Sequence, residues 1–206
     1  MRGVSPIKPL VFAAALGPLL YLALGAWQGS LGANPIETIT RSTGIWTLRF
    51  LLITLAVTPL RWLTGWNAIM RLRRMLGLFA FAYGSLHLMT YVWLDQFFDW
   101  AAIAKDVVKR PFITAGVSAF AVLIPLAATS TAGMIRRLGG RAWRRLHRLA
   151  YVAAALGVVH YWWLVKLDTR PPLRYGVLLA ALLLVRLLVS AWEQASKAGR
   201  SRSDRA

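Results

Sequence analysis

The sequence predicts an all-α integral membrane protein, a bundle of six transmembrane helices, and three observations carry that expectation. Of the 206 residues, 58% are hydrophobic, ten are Trp, and the mean hydropathy is +0.54. Soluble domains are markedly more polar. Six apolar runs approach the roughly twenty residues that a helix needs to cross hydrocarbon. The basic residues gather in alternate connections rather than spreading evenly along the chain, as the positive-inside rule requires of a multi-pass protein.

The runs are read at 9–27, 44–63, 75–94, 111–129, 146–165 and 173–192. Helix is the default because a backbone in lipid must satisfy its own hydrogen bonds, and none of the runs shows the period-two alternation of a barrel strand. The first run follows Arg2 and Lys8 as a signal peptide would, yet it continues to Trp27 and is long enough to remain as an anchor. Asn34-Pro35 marks the turn before the second span, Pro111 opens the fourth, and Pro171-Pro172 precede the sixth. DQFFDWAAIAKDVVKR, residues 95–110, is too charged to span and reads as a short interfacial helix. Trp27, Trp46, Trp62, Trp93, Trp162, Trp163 and Trp192 fall near span ends, where amphipathic rings favour the headgroup region. The chain divides into one transmembrane domain, 1–195, and a basic tail, 196–206, whose AGRSRSDRA composition predicts disorder.

The net charge is +18. Arg2, Lys8, Arg61, Arg71, Arg73, Arg74, Arg136, Arg137, Arg141, Arg144, Arg145, Arg148, Lys197, Arg200, Arg202 and Arg205 fall on one side of the bundle. Arg41, Lys105, Lys109, Arg110, Lys166, Arg170 and Arg174 fall on the other. The richer side faces the cytoplasm, which puts both termini inside. Membrane topology therefore accounts for the charge without nucleic acid. With no Cys, disulfides, thiolate metal sites and iron–sulfur clusters are excluded. No G-x-G-x-x-G occurs and no soluble stretch is long enough for a dinucleotide domain, so a reductant must come from outside the chain.

Three histidines occur, His87, His147 and His160, all on the third and fifth spans. Both spans run outward from basic clusters, RLRRMLG and RAWRRLHR. His87 lies thirteen residues beyond Arg74, and His160 thirteen beyond His147. Thirteen residues of helix climb roughly 20 Å, which puts His87 and His160 at one depth in the outer half and His147 near the cytoplasmic surface. Ionisable groups within a membrane are functional candidates by default. Two facing imidazoles at one depth have the chemistry to supply both axial ligands of a haem iron; the alternative is that each ring simply bonds a neighbouring helix. Two arginines, Arg49 and Arg186, also fall inside spans. Arg49 is placed to meet haem propionates or a quinone, or else to snorkel to the outer surface.

NPIETITRSTGIWTLRFLLITLAVTPLR, RRMLGLFAFAYGSLHLMTY, RPFITAGVSAFAVLIPLAATS and WRRLHRLAYVAAALGVVHYWW resemble the ferric-reductase-like transmembrane group, which includes NADPH oxidases, and within it the MsrQ family across most of the chain. The resemblance implies haem between the third and fifth helices, with His87, His160 and His147 as iron ligands. It implies a subunit in the bacterial inner membrane that carries haem b and FMN. Such a subunit passes electrons from the quinone pool or a cytosolic flavin reductase to MsrP, a periplasmic molybdopterin enzyme that reduces methionine sulfoxide in proteins. NADPH oxidases have a further His in the third span about thirteen residues before the one matching His87. Here that position reads Arg73-Arg74, which leaves His147 without a histidine mate and makes these arginines candidates for the flavin phosphate or plain topology anchors. Two other readings stay open: a self-sufficient haem reductase of metal ions or quinones, and a cofactor-free transporter or assembly factor.

Overall fold

A computed structural model describes residues 7–203, without the side chains of 193, 195 and 197–203. Among the described residues all regular structure is helical. Helix α1 covers Ile7–Trp27, α2 Pro35–Thr64, α3 Arg73–Met89, α4 Trp100–Lys109 and α5 Pro111–Ala128. Two short helices, α6 (Ala132–Leu138) and α7 (Gly140–Leu146), lead into α8 (Leu149–Leu164), and α9 is Arg170–Ser203. Five stretches are long and apolar enough to cross a membrane: Ile7–Trp27, Pro35–Thr64, Asn67–Asp95, Pro111–Ala128 and Arg170–Trp192.

Local chemistry sets the boundaries. The Asn34 side chain accepts from the Glu37 amide at 3.2 Å and Pro35 follows it, so α2 starts with a capped and prebent first turn. Gly65, with φ +69°, ends α2 by donating to the Arg61 carbonyl, a left-handed cap that a residue with Cβ adopts at a cost. Asp99 caps α4 through the Ala102 amide at 2.9 Å, and α4 is the short helix expected within 95–110.

Three expectations shift. Helix α2 begins well before residue 44, and its extra outer turns become part of the site below. The third span continues past α3 as a π-helical segment, Thr90–Asp95, ending in Phe97 and Phe98 at φ 48° and 61°; both backbones lie in the left-handed region that bulky residues avoid. The fifth expected span, 146–165, is only the 16-residue α8. Its first turn is interrupted at His147 and Arg148, where amides bond three residues back: Arg148 to Arg145 at 3.1 Å and Tyr151 to Arg148 at 3.0 Å. Among the described residues five helices, rather than six, are thus long and apolar enough to cross a membrane. Helix α9 also runs through the division placed after 195, and residues 204–206 of the expected tail lie outside the described residues.

Helices α2, α3, α5 and α8 close a ring: α2 packs mainly on α3 and α5 mainly on α8, with α3–α5 and α2–α8 contacts completing it. Leu48, Phe50, Leu51, Phe79, Ala80, Tyr83, Ala153 and Ala154 form its core. Phe50 stacks on Phe79 at 5.6 Å between centroids. Tyr83 is completely buried, and its hydroxyl donates to the Ala15 carbonyl at 2.8 Å, tying α1 to α3. A phenol in an apolar core needs such a partner. Leu20, Leu24, Leu184, Leu187 and Leu188 are exposed on α1 and α9, a greasy outer surface suited to lipid. Threonine hydroxyls at 43, 47 and 54 bond carbonyls one turn back on α2, at 2.7–2.9 Å, so these three side chains are satisfied without water, whereas the buried Thr58 hydroxyl has no partner among the described residues.

Candidate haem site

The four-helix ring brings His87 and His160 together. His87 projects from α3 and His160 from α8, the two helices on one diagonal of the ring, and their ring centroids are 6.0 Å apart with planes at 76°. Each ring is held the same way. His87 Nδ1 lies 2.9 Å from the Thr40 carbonyl oxygen on α2, and His160 Nδ1 lies 2.6 Å from the Phe112 carbonyl oxygen on α5. A carbonyl only accepts, so each Nδ1 carries the proton and donates. Each neutral ring then keeps its lone pair on Nε2, the form in which imidazole binds a metal.

Those carbonyls are unusual partners. Both belong to helices, and both are reached because the residue one turn further on is glycine: Gly44 after Thr40, Gly116 after Phe112. A Cβ at Gly44 would stand 2.9 Å from His87 Cε1, and one at Gly116 would stand 2.7 Å from His160 Nδ1. Among the described residues no hydrogen-bond partner is recorded for either Nε2. The Phe112 ring lies 6.2 Å from His160, an apolar neighbour at the site, and Phe81 stacks on Phe120 at 5.6 Å between α3 and α5.

His147 is elsewhere and differently held. Its ring stacks on Trp143 at 3.9 Å, and Nε2 lies 3.1 Å from the Thr129 hydroxyl at the end of α5. That hydroxyl donates to the Pro125 carbonyl at 2.6 Å, so it accepts from His147, which places the proton on Nε2. The indole of Trp143 donates to the Thr129 carbonyl at 3.0 Å, closing the cluster. His147 therefore has the opposite tautomer from the outer pair and no histidine beside it. Arg73, at the start of α3, is half-buried. Arg74, one residue on and about 100° round the helix, is exposed.

Arg49 is committed to local partners. Its Nε donates to the Tyr175 hydroxyl at 3.0 Å, and its guanidinium lies 4.7 Å from the Trp46 ring centroid. With Arg41, Ser42 and Trp46 it lines an open cavity of about 590 Å³ beside the start of α2. Arg186 stacks over Tyr151 at 5.0 Å. Sequence reasoning found the three histidines and missed Thr40, Gly44, Phe112, Gly116 and Thr129, because the roles of these five come from backbone atoms, bare space or a hydroxyl at a helix end.

The residues fit a haem iron. Two facing imidazoles with Nε2 lone pairs stand at a separation that accommodates one metal bonded to a nitrogen of each at about 2 Å. The carbonyls fix tautomer and ring plane as outer-shell partners of metal-bound histidine do.

Residues 43–158 match the family described as ferric reductase like transmembrane component, a span that includes His87 and His147. A protein of Herminiimonas arsenicoxydans, named protein-methionine-sulfoxide reductase heme-binding subunit MsrQ, is 59% identical over 193 residues, covering 93% of this chain and 88% of its own. The chain belongs to the MsrQ family. Relatives of the same name from Azospira oryzae and Caulobacter vibrioides are 58% and 50% identical, covering 88% and 93% of this chain and 78% and 90% of their own. MsrQ similarity thus runs well beyond the four-helix ring, into α1 and α9.

Proposed function

We propose that this chain is the haem-binding membrane subunit of a protein-methionine-sulfoxide reductase system, with one b-type haem axially ligated by His87 and His160. The observation that carries the proposal is the facing imidazole pair, each ring locked by a carbonyl with Nε2 left as the lone-pair nitrogen. The names of the similar proteins support it. A haem held by two imidazoles supplies one-electron transfer, with no open position for substrate chemistry. The chain's own residues do the rest. Thr40 and Phe112 orient the ligands and raise their basicity, and the Phe112 ring gives His160 an apolar neighbour.

In this proposal the chain crosses the inner membrane six times, with α8 as the shortest crossing and both termini cytoplasmic, and His87 and His160 lie in the periplasmic half. Electrons come from the quinone pool or a cytosolic flavin reductase and leave to a periplasmic molybdopterin partner of the MsrP type. His147 and the half-buried Arg73 belong to the cytoplasmic half, where FMN would form the entry point and Arg73 or Arg74 would be the partner for its phosphate. Arg49, at the outer cavity and held by Tyr175, would be the residue to meet a propionate. The test is the spectrum of the purified chain, oxidised and dithionite-reduced, with haem and flavin extracted and quantified. A low-spin b-type spectrum at one haem per chain is expected; a colourless protein overturns the proposal. Haem without flavin removes the FMN part alone.

A further inference from the structure

Two glycines leave the space in which the histidine pair rests. Thr40 and Gly44 on α2 stand to His87 as Phe112 and Gly116 on α5 stand to His160. In each case a helical carbonyl at position i accepts the imidazole Nδ1–H, and position i+4 has no side chain. Within its helix each carbonyl is the acceptor expected for the amide of residue i+4, and the Thr40 oxygen also accepts from the Thr43 hydroxyl at 3.0 Å, so there the imidazole joins donors already present. A Cβ at i+4 lies on the same helix face, over the approach to that oxygen. At Gly44 the would-be Cβ meets three atoms of the His87 ring, Cε1 at 2.9, Nδ1 at 3.0 and Nε2 at 3.4 Å. At Gly116 it meets His160 Nδ1, Cε1 and Cγ at 2.7, 2.9 and 3.3 Å. Other helical glycines near the bundle are not so used: a Cβ at Gly77 would meet only Thr54 Cγ2 at 3.8 Å, and one at Gly176 only Val158 Cγ1 at 3.6 Å.

We infer that Gly44 and Gly116 are positioning residues of the haem site, each forming with the carbonyl one turn earlier a seat that fixes the plane and Nδ1–H tautomer of one axial imidazole. The two seats lie on α2 and α5, the other diagonal of the ring, so each ligand is aimed by a helix that carries no ligand itself. Neither seat yields easily. An imidazole pushed by a methyl group must rotate out of the carbonyl bond or move its Nε2 off the axis, because the obstructing atoms are the ring itself and not the far end of a flexible chain.

The inference rests on His87 and His160 being the haem ligands, and the experiment separates the two ideas. Full-length protein is purified from membranes as Gly44→Ala, Gly116→Ala, Gly77→Ala and Gly176→Ala, beside His87→Ala and His160→Ala. Haem content, low-temperature electron paramagnetic resonance and the haem midpoint potential are read for each. Gly44→Ala and Gly116→Ala are each expected to shift the highest g value of the low-spin signal and to lower low-spin haem several-fold, while the two control variants match the parent. The two seats are read independently, so one variant that fails to accumulate leaves the other as the test. If the histidine variants abolish the low-spin signal while both glycine variants keep parental g values and potential, the seats are wrong and the ligand assignment stands. If the histidine variants keep the signal, the ligand assignment itself falls. A glycine effect reproduced by Gly77→Ala means general loosening of the bundle and overturns the seats.

Discussion

At the scale of single residues, the three histidines separate by the atom that each ring commits. His87 and His160 give Nδ1–H to backbone carbonyls, whereas His147 gives Nε2–H to Thr129. We expect His87→Ala and His160→Ala each to abolish the low-spin spectrum, since one imidazole cannot reproduce a six-coordinate centre. His147→Ala should leave that spectrum intact; optical spectra of the three variants check this, and loss of the low-spin haem in His147→Ala with retention in His87→Ala would reverse the assignment. Tyr83→Phe should cost about 1 kcal/mol of stability by leaving the Ala15 carbonyl without its side-chain donor, read as an earlier unfolding midpoint with the haem spectrum unchanged. The histidines were legible in the sequence because ionisable side chains stand out in apolar runs, and equal climbs from basic clusters matched their depths. The seats were not legible. A glycine four residues after a carbonyl is ordinary in a helix, and nothing local in TRSTG or FITAG names the ring that will rest there.

At the scale of elements, the apolar runs were readable because length and composition are local, while their ends depended on what each helix meets. The outer turns of α2, which carry Glu37, Arg41 and three threonines, look too polar to continue a span. They stay helical because Asn34 and Pro35 start the helix early and because Glu37 pairs with Arg41 at 2.8 Å one turn on. The π segment after α3 follows from no composition signal; it shifts the register just beyond His87, where such bulges tend to accompany functional sites. Helix α8 is short because the basic run before it folds as α7 and the chain turns at His147 and Arg148. Sixteen residues rise about 24 Å, less than the hydrocarbon thickness of about 30 Å; in the proposed six-crossing topology the arginines before α8 close the gap by snorkelling to the interface. The absence of cysteine makes this directly testable. In sealed vesicles an impermeant thiol reagent should reach Leu167→Cys, a fully exposed position, from the periplasmic side only, and Arg141→Cys from the cytoplasmic side only. Labelling of both from one side would remove α8 as a crossing.

At the scale of the whole molecule, the proposed function makes the arrangement a conduit that takes electrons from outside the chain and passes them to another protein. The candidate haem site lies between helices of the ring, with the two imidazoles 6.0 Å apart and the Phe112 ring beside His160, a setting that suits transfer of an electron. Reducing a sulfoxide takes two electrons and two protons, with the oxygen leaving as water. Without cysteine the chain cannot supply these electrons through thiols, the route that ends in a disulfide. A centre that passes one electron at a time through a six-coordinate iron offers the sulfoxide oxygen no place to bind. The purified, haem-loaded chain reduced with dithionite and freed of excess reductant should therefore keep its reduced spectrum under nitrogen when free methionine sulfoxide or an oxidised protein is added. It should return to the oxidised spectrum when a periplasmic molybdopterin sulfoxide reductase is added with the same substrate, two haem equivalents being consumed per sulfoxide removed. Reoxidation by the sulfoxide alone, with methionine appearing in that two-to-one ratio, would make the chain a reductase in its own right and overturn its role as a subunit that only carries electrons.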